Sequence, residues 1–243
     1  MKHGKIVLIA MFLIIGINSN AQDLKNLNQW SLGLQLGGHD APRPISTTTK
    51  FFTHVNGDVR YMVNNRFGLM ADMGYENFAW KTDTMNNTHI TRFSLQGVLN
   101  MGDILRFNTW TDRFGLLVHG GAGISNMWQK GRFNFGEGDV MGNFIAGITP
   151  QYMVTDRFSV NLDWSMIFHG AQDNHFDFQT KTTRNGVNGF YMTASVGVSV
   201  YLGKNNKHAD WAPSEFGGGT DQGLIDRITA LENQLKDDDN DGV

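Results

Sequence analysis

The chain has no cysteine, which excludes disulfides, thiol catalysis, thiolate metal sites and a lipid anchor on an N-terminal cysteine. Proline is scarce, four residues in 243, and Pro42, Pro44 and Pro213 lie outside the segments that read as strands. Few prolines beside 29 glycines disfavour disorder and suit a sheet with small residues at crowded positions. Long apolar runs are missing too: none approaches the ~18 residues a membrane-spanning helix needs. The longest, Ile6 to Ile17, follows Lys2, His3 and Lys5 and gives way to polar Asn18, Ser19 and Asn20. With small Ser19 and Ala21 at the offset a signal peptidase reads, residues 1–21 are expected to be a targeting segment, and the exported chain to begin at Gln22. Such a chain must be held by its fold alone. Excess positive charge is also absent. The formal net charge is −3, and losing Lys2 and Lys5 takes it to −5, with four of the acids in residues 237–243. The near-neutral body gives no sign of nucleic acid as a partner.

What the chain does have is one short phrase written three times: Val-Asn-Asn-Arg-Phe-Gly-Leu at 63–69, Trp-Thr-Asp-Arg-Phe-Gly-Leu at 110–116 and Val-Thr-Asp-Arg-Phe-Ser-Val at 154–160. Each lies between segments that alternate apolar and polar residues, so each reads as a connection between two strands. The interval is about 45 residues, room for two strands, a longer loop and a short turn.

Eight segments show period-two alternation, the mark of a strand with two different faces. They run from Gln29 to Gly38, Thr53 to Val63, Arg66 to Phe78, His89 to Met101, Arg113 to Met127, Asp139 to Met153, Arg157 to His169 and Val187 to Leu202. The first sets Trp30, Leu32, Leu34 and Leu36 against Ser31, Gly33, Gln35 and Gly37; the seventh sets Phe158, Val160, Leu162, Trp164, Met166 and Phe168 against Ser159, Asn161, Asp163 and Ser165. In the sixth, Pro150 among the apolar positions predicts a bulge or a strand end. The connections after strands two, four and six are short or carry the repeated phrase. Those after one, three, five and seven are polar and longer, over 39–50, 80–88, 128–138 and 170–186. An even number of strands with short turns at one end and long loops at the other matches an eight-stranded antiparallel up-and-down transmembrane β-barrel, an all-β fold, over residues 22–203.

The charged face must then point inward, because lipid cannot solvate Asp58, Arg60, Asp72, Glu76, Arg92 and Asp163, and a narrow eight-stranded lumen is filled by side chains. Acids Asp58, Asp72, Glu76 and Asp163 with bases Arg60 and Arg92 are expected to form an interior salt-bridge and hydrogen-bond network. Trp30, Tyr61, Phe67, Phe114, Tyr152 and Phe158 collect near the short turns, where amphipathic rings meet headgroups; the opposite ring of Trp80, Trp128 and Phe168 is sparser.

After the barrel the composition shifts. Residues 204–220 read as a polar linker containing His208-Ala209-Asp210-Trp211, and 221–236 as an amphipathic helix with Leu224, Ile228, Leu231 and Leu235 on one stripe. Residues 237–243 place Asp237, Asp239 and Asp241 at alternate positions with Gly242 sixth, the opening half of a calcium loop without the acid expected at its twelfth position.

Together these features resemble the OmpA family of outer-membrane proteins, in the form whose barrel is followed by a His-Ala-Asp-Trp linker, a short Leu/Ile helix and Asp-rich thrombospondin type 3 repeats. The resemblance implies a bacterial outer-membrane protein with both termini periplasmic, Ca2+ at the Asp-rich segment, and peptidoglycan as a partner only through a further C-terminal domain. That domain is expected to be absent from these 243 residues, which break off within what reads as the first repeat. Ser195-Val196-Gly197-Val198-Ser199-Val200-Tyr201-Leu202 also looks like the signal read by the barrel-assembly machinery, with Leu202 where an aromatic is commoner. The expected role is a structural barrel, not an enzyme, anchored among outer-membrane lipid, needing no cofactor and conducting at most as a minor pore. Two rivals remain. A lipid-modifying enzyme would draw on His54, His169 or His175 with Ser165, Asp173 or Asp177 near the outer rim. An adhesin would bind through loop residues such as Arg43, Phe133, Phe135, Phe176 and Phe178.

Overall fold

The computed structural model describes residues 27–41, 47–48, 52–80, 87–106, 111–130, 138–176 and 187–212. The targeting segment, the helix expected at 221–236 and Asp237, Asp239 and Asp241 lie outside them. Eight long strands form the body: β1 (Trp30–Asp40), β2 (His54–Met62), β3 (Phe67–Trp80), β4 (Asn87–Asn100), β5 (Phe114–Lys130), β6 (Asp139–Thr155), β7 (Phe158–Gly170) and β8 (Val187–Leu202). Each pairs antiparallel with its chain neighbours, and β8 pairs with β1 from Leu202↔Trp30 to Met192↔Asp40, so the sheet closes into an up-and-down barrel with no free edge.

The repeated phrase has one geometry in all three places. Three residues before each Phe stands a side chain with an oxygen to offer: Asn64 Oδ1 accepts from Phe67 N (2.7 Å), Thr111 Oγ1 from Phe114 N (3.3 Å) and Thr155 Oγ1 from Phe158 N (3.1 Å). These local bonds compete with strand pairing and hold the chain in a turn. The carbonyl of the following Arg then restarts the ladder, Arg66 O accepting from Asn100 N, Arg113 O from Met153 N and Arg157 O from Tyr201 N, at 2.8–2.9 Å.

Strand boundaries fall close to the expected ones, and the departures have physical causes. β5 continues to Lys130, and β3 to Trp80, so the loops are shorter than the alternation suggested. The connection after β4 is longer: Asn100 caps a four-residue helix, α1 (Met101–Ile104), where Met101 was expected to end the strand. Pro150 neither bulges nor ends β6. It stays opposite Leu116 of β5, while the pairing with β7 skips Thr149 and Pro150 and resumes in register from Ile148↔Trp164 to Gln151↔Asn161. Lacking an N–H, proline sits where a ladder bond is given up, and the strand continues through it.

Outward side chains form a continuous apolar belt. Leu34, Leu69, Leu95, Ile124, Phe144, Leu162 and Val196 are all more than half exposed. The rings at the short-turn end point outward as expected, with Trp30 against Tyr61 at 4.8 Å; at the other end Phe168 and Phe190 pair at 4.8 Å. Arg60, Asp72, Glu76, Arg92 and Asp163 point inward and are buried, which is the arrangement lipid outside and a filled lumen inside require.

Candidate functional site

The lumen is the site, and it has three storeys. In the middle, β3 and β4 place Asp72, Glu76 and Arg92 on one wall. Arg92 donates from Nη2 to Asp72 Oδ2 (2.9 Å) and Asn56 Oδ1 (3.2 Å), and from Nη1 to Glu76 Oε1 (3.2 Å). Asp72 also accepts from Ser94 Oγ and, at 2.8 Å, from Gln96 Nε2, while His54 Nδ1 lies 3.2 Å from Glu76 Oε1. On the facing wall Asp163 accepts from Ser165 Oγ and Thr149 Oγ1, both at 2.7 Å, and lies 3.0 Å from His119 Nε2. His119 joins the two halves, its Nδ1 lying 2.7 Å from Gln96 Oε1.

Of the six charges expected in one network, the structure therefore joins Asp72, Glu76 and Arg92 directly and Asp163 through Gln96 and His119. Asp58, packed over Gly33 where any larger residue would strike it, has no ion-pair partner among the described residues. It faces a central cavity of about 30 Å³, shared with Asp163, His119 and the amide of Gln151. That is space for a water or two, far from a solute path.

Arg60 breaks the expectation. Its partner is none of the strand acids but Asp210, 2.5 Å from Nη2 and 150 residues away. Residues 204–212, read as the start of a free linker, instead fold back into the short-turn mouth. Gly203, at φ 139°, reverses the chain in a conformation essentially reserved for glycine. Asn28 then grips Asn205, donating Nδ2 to its carbonyl (2.7 Å) and accepting its N–H at Oδ1 (3.0 Å), and Leu27–Asn28 pair in parallel with Lys207–His208. A 3-10 turn, Ala209–Trp211, is buried inside. His208 stacks on Tyr201 at 4.3 Å, Trp211 meets the same ring edge-on, and Asn100 Nδ2 donates to Asp210 O (3.0 Å). Burial alone would raise the Asp210 carboxyl; the Arg60 guanidinium first, and His208 after it, outweigh that and hold it below its ordinary value.

The long-loop mouth is closed by different means. Phe176, considered above as an exposed anchor, is 1% exposed. It stacks parallel on Phe78 at 5.2 Å and edge-on to Tyr191 at 5.8 Å, over an inward apolar cluster that includes Ile90, Met127, Met141 and Ile167. Asp139 Oδ2 fastens its loop by accepting from Asp173 N (2.7 Å) and Asn174 N (2.9 Å), and Thr88 Oγ1 donates to Phe176 O (2.5 Å).

The residues considered for lipid chemistry are dispersed. His54 is committed to Glu76 and Ser165 to Asp163. His169 Nε2 does lie 3.0 Å from a serine, Ser125, but both are buried inside the lumen, with the Phe176 ring 6.0 Å from the imidazole. Arg43, Phe133, Phe135, Asp177 and Phe178 fall outside the described residues. Among the described residues no group of three His, Asp or Glu side chains is placed to hold a metal ion.

An apolar belt around a closed barrel, with a polar lumen filled and stoppered at both mouths, defines a membrane-spanning β-barrel protein. No family model and no curated protein matches the sequence. Among solved structures it is similar to Neisserial surface protein A (12% identity, 71% of this chain and 97% of that one, TM-score 0.47). It is also similar to the N-terminal barrel domain of Pseudomonas aeruginosa OprF (16%, 72% and 99%, 0.38) and to the attachment invasion locus protein Ail of Yersinia pestis (12%, 71% and 97%, 0.39).

Proposed function

We propose that the chain is a structural barrel of the bacterial outer membrane, the lipid-embedded anchor of an OmpA-like envelope tether. One observation carries this reading: the lumen is closed twice, by Phe176 at one mouth and by residues 208–212 at the other, with ion pairs between. A barrel built to pass solutes has no use for either stopper. Short turns at one end, where the chain enters β1 and leaves β8, support a periplasmic placement of the termini. In this reading the segment after Ala212 leads toward peptidoglycan through a domain beyond Val243, and Asp237, Asp239 and Asp241 open a Ca2+-binding repeat on the way.

Planar-bilayer recordings on the purified chain are expected to show no stable open state; a large, sustained conductance would overturn the closed-lumen reading. The tether is tested separately by co-sedimenting the product of the native gene with purified sacculi, and the absence of retention would refute it.

A further inference from the structure

A β-barrel closes without covalent help at one seam, here β8 on β1. Tension on the chain beyond β8 would arrive at Leu202↔Trp30, the last pair of that seam, and peel the strand one pair at a time. The chain does not leave the barrel there. It reverses at Gly203, is gripped by Asn28, pairs with the residues leading into β1, and crosses the mouth to Arg60 of β2 and Asn100 of β4, remaining buried through Ala212.

We propose that residues 204–212 are a mechanical clip, which passes tension on the C-terminal segment to β2 and β4 and keeps the β1–β8 seam from opening. Its fastening suits the task. The Arg60–Asp210 pair is almost wholly buried, 3% and 0% exposed, so salt screens it weakly and parting it strands two charges in the lumen. The parallel pairing of Leu27–Asn28 with Lys207–His208 also ties the chain before the seam to the chain after it. The source of the tension rests on the tether reading; the locking of the seam does not.

Single-molecule force spectroscopy tests it, on the whole chain reconstituted in lipid bilayers and pulled from the C-terminal end. The expected trace begins with a rupture that frees residues 204–212, about 30 Å of extended chain, before the strand-by-strand pattern. In Asp210→Ala that first rupture disappears and β8 leaves at lower force, while the later hairpin steps persist and certify a folded barrel. Gly203→Ala, which spoils the reversal without touching the ion pair, is expected to do the same, and Asp156→Ala, on an exposed side chain in the turn between β6 and β7 and outside the clip, to change nothing. A wild-type trace that opens directly with β8, or variants whose first rupture keeps its wild-type force, would overturn the clip. Normal clip rupture in a chain that sacculi do not retain would refute the tether and leave the seam lock standing.

Discussion

Replacing Arg92 with Met tests the interior network at its most connected point. The side chain keeps the length of the stem and loses the guanidinium, which holds Asp72 at 2.9 Å and Glu76 at 3.2 Å in a site where Arg92 itself is 2% exposed and the two acids 1% and 0%. Removing one partner of a buried ion pair costs about 3–5 kcal/mol, chiefly the penalty of an uncompensated buried charge. Two carboxylates lose their cation here, but the losses do not double. Asp72 keeps Ser94 and Gln96 on Oδ1, and Glu76 keeps His54, so the expected destabilisation stays within about 3–5 kcal/mol. Equilibrium urea unfolding in lipid vesicles, followed by tryptophan fluorescence, reads this as a lower midpoint at unchanged slope. The decisive comparison is the triple variant Arg92→Met, Asp72→Asn, Glu76→Gln. With the stranded charges gone, it is expected to recover most of the loss, because neutral replacement of a whole buried set is often neutral or better. A single variant within about 1 kcal/mol of wild type, where surface ion pairs fall, would refute the reasoning. So would a triple variant as unstable as the single one.

Two further outcomes are expected. Phe176→Ala removes the stopper at the long-loop mouth and costs up to about 3–5 kcal/mol, the range for deleting a buried phenyl ring; limited proteolysis should then cut within residues 171–176, and equal resistance to wild type would count against the stopper. The Asp210 carboxyl is held below its ordinary value of 3.8, so its contribution is fully present above about pH 4 and is lost as pH falls below that toward the depressed folded value. Unfolding midpoints between pH 5 and 2 should therefore fall less steeply in Asp210→Asn than in wild type, and parallel pH profiles would contradict the assignment.

The strands were legible because each is written for two solvents. Lipid outside and a polar lumen inside stamp period two on the sequence, and the repeated Asn/Thr-x-Arg-Phe phrase marks where three of the strands begin. What escaped was long-range. Nothing local in Asp210 says that its partner is Arg60 of β2, and His119 stood on the inward face without any sign that it would join Gln96 to Asp163. A polar stretch after the last strand reads as linker whenever its partners lie far back in the chain.

Yet the stopper at the long-loop mouth left a trace in the strands themselves. Alternation fails near that mouth, where the inward position is apolar too: Ile167 between Met166 and Phe168, Tyr191 between Phe190 and Met192. Ile167 and Tyr191 are wholly buried, in one cluster with Phe176. An apolar side chain facing a wet lumen gains nothing, whereas one facing protein gains about 25 cal/mol for each Å² it buries. Two apolar faces at a strand end therefore require a third body inside the barrel. The strand pattern contained the need for a stopper at the long-loop mouth, and only the fold could say that a loop phenylalanine fills it.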